Sequence, residues 1–395
     1  MPMFSFHDDF QQTVFCYYSH QESHVQVADD VFLHTREYGD SKSGTAPVVL
    51  LVHGFPDLSL GWQYQAERLA KAGYFVVAPD MRAYGSSSMP KGVANYGRTT
   101  LVSDIHALRK HYCGGENGSF AMIAAHDWGG VIVWSTLDAY GLIEDSGENA
   151  ATSRNTPIAR CAVIFNAPHP QIFLNYVTSP KQAIKSWYMF YFQIPWLPEV
   201  MLYYTKALYY LLAYHLAPLK QVESVDMTKT FAVYWEALTA DYDRIRAMLS
   251  YYRSIKSGLW REPGDKSPWT YLERLVQWYH GISVEEDPTS CQIEEQEDEE
   301  EESPESDNED GFRITIPMLI LWGTKDIALE NQLAVPPASV KTWHIEFFDA
   351  GHCPQWDFPQ ETAQRMIDFT NAHNIHNNQN NNHGESAAAN IMNAD

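Results

Sequence analysis

The 395-residue chain reads as an α/β protein built on a mostly parallel sheet, and three observations predict this. Residues 47–52, 74–78, 120–125, 161–165 and 318–322 are continuous apolar runs of strand length, with a less pure sixth run at 343–348. Such runs suit strands buried on both faces, where the alternation of a half-exposed strand is lost. Helical stretches near 60–72, 98–112 and 130–141 separate them, and alternating strand and helix implies parallel strands. The third observation is Ala124-Ala125-His126-Asp127-Trp128-Gly129-Gly130, where an apolar strand runs straight into a helix through small residues. A junction this tight brings the backbones of strand and helix together and pushes one side chain out at the apex.

Taken in order, residues 1–24 are a polar and aromatic lead-in, and residues 25–38 alternate as a hairpin turning near Asp29-Asp30. The strand at 47–52 ends on His53-Gly54-Phe55-Pro56, where proline makes the 55–56 bond a candidate for the cis form. The alternation of strand and helix stops at about 168 and resumes at about 312. Residues 169–284 are expected as a helical, Tyr- and Trp-rich lid over the carboxyl ends of the strands, where open α/β sheets bind ligands. Within it, 200–217 is strongly apolar but contains Lys206, His215 and five tyrosines, which favours one apolar lid helix over a membrane span. Contact of that lid with a lipid surface or a second subunit is the lesser expectation. Residues 285–311 form an acidic run expected to be disordered, since it has little to bury. Residues 312–372 complete the core begun in 1–168, and 373–395 are an Asn-rich tail, also expected to be disordered.

Charge and cysteine usage exclude several classes. Twenty-seven Lys and Arg against 50 Asp and Glu give −23, but 285–310 alone hold fifteen acidic residues and the remainder carries only −8. Nucleic acid and anionic lipid are therefore poor electrostatic partners. Cys16, Cys113, Cys161, Cys291 and Cys353 are scattered, odd in number and free of CxxC spacing, which reads as free thiols in a reducing compartment and gives no zinc site. No basic segment followed by an apolar one opens the sequence, so a cytoplasmic location is expected. No metal or cofactor motif is present.

The apex residue of the tight junction is Asp127, where the same turn in other proteins carries a serine nucleophile. A carboxylate, with a reference pKa of about 4, is ionised at neutral pH without a base and can attack a saturated carbon. The resulting alkyl ester must be cut by water, which needs a general base and oxyanion donors. The alternative for Asp127 is an N-cap of the following helix. The required partners lie just past later strands: Gly323-Thr324-Lys325-Asp326 after 318–322 and Asp349-Ala350-Gly351-His352 after 343–348. His352 would activate water and Asp326 would orient its imidazole. The backbone N–H groups of Phe55 and Trp128 would form the oxyanion hole. Singly, Asp326 is an ordinary turn former and His352 an ordinary loop histidine; the order and the strand-end positions make the set.

These residues resemble the epoxide hydrolase branch of the α/β-hydrolase family. The likeness rests on residues 53–65 (HGFPDLSLGWQYQ), 79–87 (PDMRAYGSS), 126–130 (HDWGG), 323–326 (GTKD) and 351–352 (GH), and covers roughly 25–255 and 313–370. It implies an α/β-hydrolase fold with an inserted lid, an apolar epoxide and water as substrates, and two lid tyrosines that hydrogen-bond to and protonate the epoxide oxygen. Tyr188, in Tyr188-Met189-Phe190-Tyr191-Phe192-Gln193-Ile194-Pro195, and Tyr252, in Ser250-Tyr251-Tyr252-Arg253, match the family's two tyrosine stretches. A phenol with a reference pKa of about 10 can donate to an oxygen gaining charge. Ala83 and Ala124 stand where the family usually has glycine; both are small and little effect is expected. The acidic insert and 256–284 are additions to the family's usual lid.

Two rivals remain. A haloalkane dehalogenase shares the Asp and His and uses the Trp after the nucleophile as a halide donor; Trp128 is present, but Phe55 stands where that branch tends to have Asn. A ligand receptor on the same fold would have no need of an intact Asp127-Asp326-His352 set. A serine esterase is excluded by the absence of serine at the apex.

Overall fold

The computed structural model of the protein describes residues 20–40, 46–115, 117–140, 156–205, 207–217, 227–257 and 313–374. The acidic run, the part of the expected lid beyond 257, Cys16, Cys291 and the tail beyond 374 lie outside the described residues.

Eight strands form one sheet in the order β1-β2-β4-β3-β5-β6-β7-β8. They are β1 (His20–Ala28), β2 (Val31–Tyr38), β3 (Val48–Val52), β4 (Phe75–Pro79), β5 (Met122–His126), β6 (Ala162–Phe165), β7 (Met318–Gly323) and β8 (Trp343–Phe348). The β1–β2 hairpin is antiparallel, and β2 runs antiparallel to β4; every pairing from β4 through β3 to β8 is parallel. The six apolar runs are all strands. β1 starts earlier than the hairpin expected from residue 25, because among its nine residues only Val25 is buried and an edge strand of this kind has no apolar signature.

Alternate residues of the central strands face opposite sides. Leu50 and Val52 of β3 join one apolar cluster while Val49 and Leu51 join the other. Helices α1 (Gln63–Lys71) and α12 (Pro359–His373) supply Leu69 and Met366 to the second cluster. On the first face, α2 (Arg98–Tyr112) brings Leu101 and Ile105, and α3 (Trp128–Tyr140) brings Ile132 and Val133. Helix α12, which follows the short α11 (Pro354–Asp357), runs through His373, slightly into the stretch expected as tail.

Between β6 and β7 the described insertion holds α4 (Pro170–Tyr176), α5 (Pro180–Lys185), α6 (Trp187–Tyr191), α7 (Leu197–Tyr204), α8 (Ala207–His215), α9 (Met227–Thr239) and α10 (Tyr242–Lys256). The single helix expected over 200–217 is two. Thr205 adopts an extended conformation at the end of α7, and its hydroxyl accepts the N–H of Ala207 at 3.0 Å, starting α8. Arg253 of α10 grips Glu199 with two hydrogen bonds of 2.6 and 3.0 Å and donates to the carbonyls of Phe192 and Ile194. The insertion docks on a loop that leaves a strand's carboxyl end: Tyr251 Oη donates to Arg82 O at 2.9 Å and Arg244 to Ala83 O at 2.8 Å. Ala83 sits at φ 74, so a residue expected to be a neutral replacement for glycine occupies a left-handed conformation. That costs an L-residue about 1–2 kcal/mol. Among the described residues no helix is long and apolar enough to cross a membrane.

Candidate active site

The order of strands reverses beside β3: the chain goes from β3 to β4 on one side, then returns to β5 on the other. Register pairs Val52 with Ala125, so the loops that leave β3 and β5 emerge side by side at this switch point. One carries Gly54-Phe55-Pro56, with a cis bond between Phe55 and Pro56; the other carries Asp127.

Asp127 has φ 51, a left-handed conformation unusual for a non-glycine residue, held between the end of β5 and the start of α3. The glycines explain how the turn fits. A Cβ at Gly129 would overlap the carbonyls of Val52 and His53, and one at Gly130 would overlap the side chain of Ala167. A Cβ at Gly54 would strike the Asp127 side chain itself. The turn is thus closed by three glycines and leaves the Asp127 carboxyl at the apex.

That carboxyl has two distinct oxygens. Oδ1 accepts the backbone N–H of Phe55 at 2.7 Å, and Oδ2 lies 3.5 Å from His352 Nε2. On the far side of the imidazole, Nδ1 is 2.7 Å from Asp326 Oδ2. Asp326 is fully engaged: Oδ1 accepts the N–H groups of Ala328 at 2.7 Å and Leu329 at 3.1 Å, and Oδ2 also accepts Asn166 Nδ2 at 2.6 Å. The structure therefore brings Asp127, His352, Asp326 and Phe55 together as the sequence predicted. Trp128 opens α3 directly after Asp127.

Charge follows from this geometry. Burial works against ionisation of Asp127, but the hydrogen bond and charge of His352, with help from the Phe55 N–H, hold its carboxyl at about 2. Burial likewise opposes a charge on His352, yet Asp326 and Asp127 outweigh it and raise the imidazole to about 10. Asp326 stays ionised for the same reason. His126, buried beside this cluster with its ring 4.7 Å from that of His352, is pushed by burial and by the His352 charge down to about 4. It is neutral at neutral pH, and its Nε2 lies 2.9 Å from the carbonyl of His352.

At the carboxyl lies an apolar cavity, partly open to solvent and lined by Asp127, Trp128, Val131, Phe173, Tyr188, Met189, Tyr252 and Leu329. Tyr188 of α6 and Tyr252 of α10 meet edge to face, with ring centroids 5.9 Å apart. Tyr252 also packs against Phe55 and Trp128, so both expected tyrosines stand beside the proposed nucleophile. Burial, then the Asp127 carboxylate, raises the Tyr188 phenol. Burial, Tyr188 and Asp127 do the same to Tyr252, opposed in smaller part by a hydrogen bond with the Trp128 side chain.

Two residues of this neighbourhood escaped the sequence reading. Asn166, at φ 35 just past β6, joins the Asp326 carboxylate to the Gly323 N–H, which its Oδ1 accepts at 2.7 Å. Its signal was position: an Asn at the end of a buried parallel strand, a residue type that tolerates the left-handed region. Asp57, after Gly54-Phe55-Pro56, is buried and accepts the Tyr234 hydroxyl at 2.6 Å; burial pushes its carboxyl up to about 7. Nothing in the sequence signalled Tyr234 as its partner.

Comparison with known proteins agrees with this geometry. Residues 47–359 match the family described by the alpha/beta hydrolase fold. The AB hydrolase superfamily protein YfhM of Bacillus subtilis is 31% identical over 330 residues, 82% of this chain and 90% of that one. Epoxide hydrolase 3 of Xenopus tropicalis is 25% identical over 88% of this chain and 77% of its own. Among solved structures, an epoxide hydrolase of Bacillus megaterium in complex with an inhibitor superposes with a TM-score of 0.60 at 23% identity, covering 89% of this chain and all of that one. At that identity the superposition speaks for the fold; the match over residues 47–359 speaks for descent. The chain belongs to the α/β-hydrolase fold family, where it stands beside the epoxide hydrolases.

Proposed function

We propose that this protein hydrolyses an apolar epoxide to a vicinal diol through an ester on Asp127, beneath a lid formed by the helical insertion. The observation that carries the reading is the Asp127 carboxylate, with Oδ1 held by Phe55 and Oδ2 3.5 Å from His352, in the wall of a cavity that Tyr188 and Tyr252 also line. Relatives named as epoxide hydrolases support the substrate class.

Asp127 Oδ2 attacks a ring carbon. The carbon–oxygen bond of the epoxide breaks, and the departing oxygen takes a proton from Tyr188 or Tyr252. Strain in the ring and a donor matched to the growing charge lower the barrier; general acid catalysis contributes typically about 10²–10⁴-fold. Esterification removes the negative charge of Asp127, which had helped to hold both the imidazole and the phenols protonated. His352 can then return a proton to the tyrosinate and become neutral.

Neutral His352 next takes a proton from water as the hydroxide adds to Cγ of Asp127. The negative charge passes to Oδ1, already within hydrogen-bond reach of the Phe55 N–H. Collapse expels the diol oxygen, which takes the proton from His352. The new carboxylic acid gives its own proton to His352, and the resting pair of carboxylate and imidazolium is restored.

Mass spectrometry after brief mixing of His352→Gln with a styrene-oxide-type epoxide tests this: an adduct of substrate mass is expected on the peptide that contains Asp127. No adduct in the variant, and no diol from the wild type across aryl and aliphatic epoxides, overturns it. Trp128 keeps the haloalkane dehalogenase reading in view. Its side chain, however, bonds to Tyr252, which a halide would have to displace. A panel of epoxides and haloalkanes separates the two.

A further inference from the structure

The loop that carries Asp326 is held from both sides. From within, Asp326 Oδ1 accepts the N–H groups of Ala328 and Leu329. From outside, the insertion satisfies the rest of the turn. Lys185, the last residue of α5, donates to the carbonyl of Asp326 at 2.7 Å and to that of Leu329 at 2.9 Å, and pairs with Glu330 at 3.0 Å. Gln182, one turn earlier on the same helix and fully buried, donates to the carbonyl of Ala328 at 2.8 Å and accepts the N–H of Glu330 at 3.0 Å. The carbonyls of 326, 328 and 329 and the N–H of 330 thus find partners in one short helix.

Such an arrangement is more than packing. A carboxylate orients an imidazole only while its own loop keeps it in place, and a displacement of about 1 Å can cost about a hundredfold in rate. Lys185 also stands three residues before Tyr188, with Ser186 between the two helices bound to the Gln182 side chain at 2.8 Å.

We infer that Lys185 and Gln182 are positioning residues for the hydrolytic half-reaction, fixing the Asp326 turn against His352 from the insertion. The inference rests on the ester mechanism proposed above. It implies that the insertion does more than cover the cavity: it completes the support of the base.

The test is rapid-mixing kinetics of wild type, Lys185→Met and Lys185→Arg with a styrene-oxide-type epoxide, following ester formation and decay separately, with circular dichroism to fix the folded fraction. In Lys185→Met, ester decay should slow about tenfold while formation changes less than about twofold. In the steady state kcat and KM should then fall together, since slower breakdown lets ester accumulate and leaves kcat/KM nearly unchanged. Lys185→Arg, which can reach the same carbonyls, should recover most of the decay rate. Loss of folded enzyme alone would lower kcat at constant KM, and that pattern overturns the inference. So does an unchanged decay rate in folded Lys185→Met. If Lys185→Met does not fold, Gln182→Met is measured in the same way, and the same two results decide. A wild type that forms no ester at all removes the functional reading, and this inference with it.

Discussion

The N–H of Phe55 donates to Oδ1 of Asp127 at 2.7 Å, which separates the two oxygens of one carboxylate into different tasks. In the proposed mechanism Oδ1, already hydrogen-bonded, carries the oxyanion, and Oδ2, 3.5 Å from His352 Nε2, attacks. In that mechanism water adds to Cγ, so the diol keeps the aspartate oxygen and the enzyme acquires the oxygen of water. With enzyme in excess over epoxide in heavy-oxygen water, the first diol should be unlabelled and the Asp127 peptide heavier by one oxygen exchange. Label in the diol of that first turnover would mean direct attack of water on the epoxide.

The two half-reactions should differ in their response to pH. Asp127, held at about 2, is ionised across the whole neutral range, so ester formation should be flat from about pH 5 to 8. His352 is raised to about 10 in the resting site, partly by Asp127. Esterification deletes that contribution, so its effective pKa in the intermediate must be lower. Ester decay requires neutral imidazole and should rise with pH through this lowered value. Stopped-flow traces across that range check both slopes; a decay rate that falls with rising pH would contradict the assignment of His352 as base.

Tyr188 and Tyr252 meet edge to face, and each phenol is raised by burial and by the Asp127 charge. If either can donate to the departing oxygen, single Phe variants should lose about tenfold in ester formation, and the double variant about 10²–10⁴-fold. Single-turnover rates give the result directly. An unchanged double variant would place the acid elsewhere.

His34 forms a buried bridge between Asp80, at 2.8 Å, and Glu22, at 3.5 Å. Burial opposes its charge, but these two carboxylates raise it to about 9. A histidine raised on folding contributes stability that is complete below its unfolded value of about 6.5 and is lost as pH rises through the folded one. Glu22 and Asp80 are depressed, so their share is complete above about pH 4 and is lost on acidification. Thermal melts should show Tm falling between about pH 7 and 9.5 in the wild type, and falling less in His34→Gln.

Much of this was legible because buried parallel strands announce themselves as unbroken apolar runs. Residues 48–52, 122–126 and 318–323 could hardly be anything else, and function in an open sheet sits where such strands end. Asp127, Asp326 and His352 were picked out as candidates by that rule. The tyrosines were not: in a Tyr-rich insertion only the family likeness distinguished Tyr188 and Tyr252 from packing residues. Residues 20–24 were missed because an edge strand buries almost nothing. Asn166, Asp57 and Lys185 were missed because each acts through a partner more than a hundred residues away, and no local pattern encodes such a pairing. The break at Thr205 was invisible because apolar composition on both sides of it favours one continuous helix.

The Asp326 side chain serves four donors at once: two loop N–H groups, the Asn166 amide and the His352 ring. Only a group that accepts everywhere and donates nowhere can do this. An asparagine of the same shape would set an N–H against a neighbouring N–H, whichever way it turned. Loop shape and imidazole tautomer are therefore decided by the same two atoms, and neither can be altered by evolution without the other.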